Sequence, residues 1–146
     1  MKKKAEVLLV DDNPADLDLT RDLLASTEYP REISTVTDGE EAVAFLRRHG
    51  KYMSAHSPDL IILDLNLPRK NGWQVLEEVK SDPQLRKTPV VIFSTSEAKH
   101  DIGGCYRLGA NSYVRKPGNL QEFRSVIHSI GQFWFQCAAL PSREEQ

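Results

Sequence analysis

The sequence predicts an α/β domain, a five-stranded parallel sheet with helices packed on it. Three observations predict it. Short apolar runs alternate with amphipathic segments at roughly 25-residue spacing, the mark of βα units. The run Leu60-Ile61-Ile62-Leu63 is apolar without interruption and bounded by turn residues, as in a strand buried on both faces. Finally, these runs stop on polar residues, at the carboxyl edge where open α/β sheets bind ligands.

Each element has its own signal. Glu6-Val7-Leu8-Leu9-Val10 is a strand running into Asp11-Asp12. Asn13-Pro14 then opens a helix, with Asn as N-cap and Pro at the first helical position. Leu17, Leu23 and Leu24 give it an apolar side, and Tyr29-Pro30 breaks the pattern. Glu32 to Val36 alternates as a half-buried strand. Asp38 and Glu41 have the form of a capping box, opening a helix that carries Ala42, Phe45 and Leu46 and stops by Gly50. Lys51 to Ser57 is a polar loop with an apolar tip at Met53. The central strand follows and ends on Asp64; Asn66, Pro68 and Gly72 mark the turn after it. Trp73, Val75, Leu76 and Val79 mark a short third helix ending near Asp82-Pro83. Pro89 to Phe93 is the next buried strand and stops at Ser94-Thr95-Ser96. Ile102, Tyr106 and Leu108 mark a fourth helix, weakened by the interior pair Gly103-Gly104. Asn111 to Val114 is a brief strand ending in Arg115-Lys116-Pro117-Gly118, and Asn119 with Glu122 can cap a last helix.

Bulk properties narrow the function. A chain of 146 residues fits one domain with a self-sufficient core. A net charge of −2, with both signs spread along the chain, argues against a nucleic-acid footprint. Cys105 and Cys137 are too few for a disulfide framework, which fits a reduced, cytoplasmic setting. The basic start Met1-Lys2-Lys3-Lys4 is followed by too short and too acidic a stretch for an export signal. No stretch approaches the roughly 20 apolar residues of a membrane span. His49, His56, His100 and His128 show no metal-ligand spacing.

The strand ends carry the chemistry. Strand 1 delivers Asp11 and Asp12, strand 3 Asp64, strand 4 Ser94 and strand 5 Lys116. Each alone reads as a cap or turn residue; together they match. Three converging carboxylates repel unless a cation relieves them. Hard oxygen donors at that density suit Mg²⁺, and an ammonium and a hydroxyl alongside suit a phosphoryl group.

These motifs resemble the receiver domain of two-component response regulators. The resemblance runs from Val7 to about Ser129. It rests on Val10-Asp11-Asp12, Leu63-Asp64-Leu65-Asn66-Leu67-Pro68, Gly72, Pro89-Val90, Ser94, Gly109-Ala110 and Tyr113-Val114-Arg115-Lys116-Pro117. It implies a doubly wound, flavodoxin-like sheet of order 2-1-3-4-5. It also implies that Asp64 accepts a phosphoryl group from a histidine kinase and that the chain is a phosphoacceptor that catalyses its own phosphorylation and dephosphorylation rather than a turnover enzyme. Asp12 and Asp64 would ligate Mg²⁺ by carboxylate, Asn66 by its main-chain carbonyl, and Asp11 mainly through water. Lys116 and Ser94 would contact the phosphoryl oxygens, and Tyr113 would be the aromatic partner of the Ser94 switch. Serine at 94 stands where threonine is commoner; it keeps the hydroxyl. An Mg²⁺-dependent α/β phosphohydrolase is the enzymatic alternative, but it would want a second aspartate where Asn66 stands. A receiver-like interaction module that takes no phosphate is the other.

The receiver domain is expected to occupy 1–130, with 131–146 extending the last helix and tail. Leu120, Phe123, Ile127, Ile130, Trp134 and Cys137 recur at steps of three and four, one apolar stripe. Val126, Phe133 and Leu140 add a second. One stripe covers a sheet; two suggest a homodimer through Ile127, Ile130, Phe133, Trp134 and Leu140, against the competing reading of a helix folded on its own core. The long loop before strand 3 and this aromatic extension resemble single-domain regulators paired with phytochrome-type histidine kinases.

Overall fold

A computed structural model of the chain describes residues 5–26 and 31–141. The Tyr29-Pro30 breaker and residues 142–146 lie outside that set. Five strands, β1 (Ala5–Val10), β2 (Arg31–Val36), β3 (Leu60–Leu63), β4 (Val90–Ser94) and β5 (Ser112–Arg115), alternate with α1 (Pro14–Ala25), α2 (Gly39–Arg47), α3 (Gly72–Ser81), α4 (Lys99–Leu108) and α5 (Leu120–Gln132). All four strand pairings are parallel, in the order β2-β1-β3-β4-β5, as expected.

The pleat divides the core. Leu8, Val10, Ile61, Leu63 and Ile92 face α2, α3 and α4. Val7, Leu9, Leu60, Ile62 and Phe93 face α1 and α5, meeting Leu17, Leu24, Phe123 and Ile127. Every residue of β3 is buried, so the uninterrupted apolar run is what a central strand needs.

Local signals set the helix starts. Asn13 caps α1, accepting the Asp16 N–H, with Pro14 at its first position. Asp38 caps α2 by accepting the Glu41 N–H. The Glu41 carboxylate meets the Tyr52 hydroxyl and Lys51, and so anchors the 3-10 turn Gly50–Tyr52. The reciprocal capping box sits instead at α3, between Asn71 and Gln74. Gly104 in α4 has a packing reason, because a Cβ there would stand 2.8 Å from the Trp73 ring. The residue α4 buries is Cys105, not Tyr106, which is half exposed.

The end of the chain corrects one expectation. Ile127 and Ile130 are buried in the α1–α5 side of the core and cannot face a second copy. After Gln132 the backbone widens into a π-turn, Phe133–Cys137. The extra residue per turn breaks the three-four spacing. Phe135 turns inward, Cys137 is exposed, and Phe133 is left 53% exposed against the edge of Trp134. Among the described residues no helix is long and apolar enough to cross a membrane.

Candidate functional site

Parallel strands bring their carboxyl ends to one edge, and the expected side chains meet there. Asp11 follows β1 and is buried; its N–H donates to the Val36 carbonyl, and its Oδ1 accepts the Asn13 N–H at 2.9 Å. The residue that caps α1 therefore also fixes Asp11. Asp64, likewise buried, donates its N–H to the Val10 carbonyl at 2.9 Å and accepts the Leu65 N–H on Oδ1 at 2.7 Å. Asp12 stands exposed at the rim, and one oxygen from each of Asp11, Asp12 and Asp64 lies within 4.8 Å of the others. Asn66 is exposed in the loop after β3.

Lys116 leaves β5 with its N–H on the Ser94 carbonyl at 2.7 Å. Its Nζ donates to Asp11 Oδ2 at 2.7 Å, Asp16 Oδ2 at 3.0 Å and Asp64 Oδ2 at 3.1 Å. It lies 5.8 Å from the Phe93 ring centroid. Desolvation by burial pushes the Asp11 carboxyl above its ordinary range, against the pull of the Lys116 and Asn13 hydrogen bonds. Burial alone would favour a neutral lysine, but the hydrogen bond to Asp11 and the charges of Asp64 and Asp11 outweigh it and raise the Lys116 pKa.

Crowded carboxylate oxygens, one of them resisting ionisation, fit a hard divalent cation such as Mg²⁺ or Mn²⁺. The neighbouring ammonium fits an anion. The arrangement can present a carboxylate nucleophile to a phosphoryl group with charge stabilisation on both sides.

Ser94 and Tyr113 form a second group. Ser94 is fully buried and its Oγ accepts the Ser96 N–H at 3.3 Å. The Tyr113 hydroxyl donates to the Ser96 carbonyl at 2.9 Å. The two residues thus meet through Ser96, whose own hydroxyl donates to Asp101 in the first turn of α4. Sequence reasoning missed Ser96, because the hydroxyl run at 94–96 does not say which member bridges. It also missed Asp16, since an acid in a first helical turn reads as a partner for the helix dipole.

The chain matches the response regulator receiver domain model over residues 7–128. Response regulator Rcp1 of Synechocystis sp. is 38% identical over 136 residues, 93% of this chain and 92% of Rcp1. The crystal structure of the phosphorylated cyanobacterial phytochrome response regulator RcpA superposes with a TM-score of 0.93 at 46% identity, over 96% of this chain and 100% of that one. The Mn²⁺-bound form of Rcp1 gives 0.92 at 38% identity, over 94% and 99%.

Proposed function

The chain belongs to the response regulator receiver domain family, and on that premise we propose that Asp64 takes a phosphoryl group from the phosphohistidine of a sensor histidine kinase of the phytochrome type. The observation that carries the reading is the Lys116 ammonium, 3.1 Å from Asp64 Oδ2 and 2.7 Å from Asp11 Oδ2, at the edge where the five parallel strands end. A carboxylate oxygen of Asp64 attacks phosphorus, the phosphorus–nitrogen bond breaks, and its electron pair stays on the kinase imidazole. Lys116 offers an N–H to a phosphoryl oxygen. Ser94, whose oxygen is used as an acceptor by the Ser96 N–H, keeps its hydroxyl hydrogen to donate to another. Mg²⁺ held by Asp11, Asp12, Asp64 and the main-chain carbonyl of Asn66 would neutralise charge on the carboxylates and on the transferring group.

The new acyl phosphate adds roughly −1.5 to −2 charges and three acceptor oxygens. Ser94 moving toward them would disturb its bond to Ser96 and so the Tyr113 hydroxyl and the start of α4. Output is by phosphorylation-dependent protein contact, in a homodimer whose surface includes Phe133, Trp134 and Leu140. The phytochrome pairing is supported by the likeness to RcpA.

The test is incubation with Mg²⁺ and acetyl phosphate, then mass spectrometry. One acid-stable, base-labile phosphoryl adduct is expected, absent from Asp64→Asn. No adduct from acetyl phosphate or from a phosphorylated phytochrome-type kinase would overturn the reading, and rapid turnover of unrelated phosphate esters would point to a hydrolase.

A further inference from the structure

We propose that Asp16 is a positioning residue for Lys116, holding the ammonium over the site while Asp11 and Asp64 turn to other charges; this rests on the phosphoryl-transfer reading above. An ammonium has three N–H donors and no acceptor. Here it meets three carboxylates, Asp11, Asp16 and Asp64, at 2.7, 3.0 and 3.1 Å. Its donors are fully used, and the side chain is only 4% exposed.

The three acceptors are not equivalent. Asp11 and Asp64 belong to the crowded oxygen cluster, and Asp16 does not. A cation in that cluster competes with Lys116 for Asp11 and Asp64, and a phosphoryl group on Asp64 offers the ammonium a new acceptor; Asp16, outside the cluster, is engaged by neither. Asp16 sits in the first turn of α1, where its N–H is accepted by Asn13 Oδ1, the same residue whose N–H holds Asp11. Its carboxylate lies outside the cluster, so its grip on Lys116 is not contested by what the cluster holds. Lysine is a point charge on a flexible four-carbon stem. Without a fixed acceptor on the α1 side, the ammonium follows whichever cluster carboxylate remains, and a displacement of about 1 Å suffices to slow a transfer step severely.

The test uses the full chain with Asp16→Asn, which keeps size and removes charge, and Asp16→Glu, which keeps charge. The first readout needs neither metal nor phosphate: the side-chain Cε and Nζ resonances of Lys116 in metal-free protein. Asp16→Asn is expected to shift them and speed exchange of the ammonium protons, and Asp16→Glu to restore part of both. The second is Asp64 phosphorylation by acetyl phosphate. The rate at saturating donor is expected to fall about tenfold or more in Asp16→Asn, with Mg²⁺ affinity changed less than about threefold, because the lost charge is part-exposed and screened. Unmoved Lys116 resonances, or a saturated rate equal to the parent's, would overturn the proposal. So would Mg²⁺ affinity falling in step with the rate, which would make Asp16 a ligand instead. If the parent chain takes no phosphoryl group at all, the transfer reading fails, and the Lys116 resonances still decide the role of Asp16.

Discussion

A Cβ on Gly72 would stand 2.2 Å from the main-chain oxygen of Asp64 and 2.6 Å from the Leu65 Cα. The Gly72 N–H donates to the Leu65 carbonyl at 2.9 Å, closing the turn that follows Asp64. Further along the loop, Gly39, the first residue of α2, lies so close to Lys70 that a Cβ would meet its carbonyl oxygen at 1.7 Å. The β3–α3 loop thus meets a glycine at each of two places, and the Asp64 backbone can sit where it does only while Gly72 lacks a side chain. Gly72→Ala is expected to cost about 1–3 kcal/mol or more, as overpacking does, and to weaken Mg²⁺ binding by displacing Asp64. Urea denaturation and a metal titration check this; an alanine variant equal to the parent in both would show that the contact is not constraining.

Lys116 is the countercharge for buried carboxylates. Lys116→Met in metal-free protein at neutral pH leaves Asp11 and Asp64 unpaired, and breaking such a buried pair costs about 3–5 kcal/mol. Mg²⁺ at ten times its dissociation constant should return about 1.4 kcal/mol by mass action. The expected pattern is a large fall in melting temperature, partly reversed by Mg²⁺, with no gain in Asp64 phosphorylation. An undisturbed melting temperature without metal would mean the carboxylates do not need the lysine.

Asp11 makes the metal-free protein sensitive to pH. Its folded pKa is raised, mainly by burial. A group raised on folding contributes stability that is fully present below its unfolded pKa, near 4, and lost as pH rises through the folded value. Denaturation midpoints of the metal-free chain should carry this loss on the upper side of the ordinary carboxylate range. Asp11→Asn should remove it, and Mg²⁺ should reverse it.

Most of the frame was legible in advance, because strand runs, caps and polar strand ends are written in consecutive residues. Leu60 to Leu63 announced a central strand, Asn13-Pro14 a helix start, and the strand ends brought Asp11, Asp12, Asp64 and Lys116 to one edge. Relationships across the fold were not legible. Nothing local tells that Asp16 reaches Lys116, that Ser96 joins Ser94 to Tyr113, or that Gly104 exists to admit the Trp73 ring. Glu41 reads from the sequence as half of a capping box, yet its side chain meets the Tyr52 hydroxyl and Lys51, in a turn about eleven residues on that no helix-start rule considers.

That pairing is open to titration. The Tyr52 hydroxyl is pushed up to about 12, first by burial and then by the hydrogen bond to Glu41. Its stabilising contribution is present below the ordinary tyrosine value near 10 and is lost as pH rises through about 12. Phenolate absorbance should show a late-ionising tyrosine that vanishes in Tyr52→Phe. Glu41→Gln should bring it only part of the way back, since burial is the larger cause. A Glu41→Gln curve identical to the parent's would separate the two residues.

The π-turn at the end of α5 assigns opposite roles to two phenylalanines. Phe135 is 7% exposed and packs in the core beside the α1–α5 contact, whereas Phe133 is 53% exposed. Phe135→Ala should therefore cost about 3–5 kcal/mol, the range for a buried aromatic cut to alanine. Phe133→Ala should change monomer stability by less than about 0.5 kcal/mol, as surface substitutions do. If the exposed aromatic belongs to a dimer surface, Phe133→Ala should instead lower the association constant, read by light scattering across micromolar concentrations. This pair of variants is a cleaner probe than cutting the chain at Ile130, which would remove Phe135 and damage the core along with the surface. A parent chain that scatters as a monomer throughout would end the dimer reading. A Phe133→Ala variant as destabilised as Phe135→Ala would show that the helix continues in regular register and that the outward turn of Phe133 is wrong.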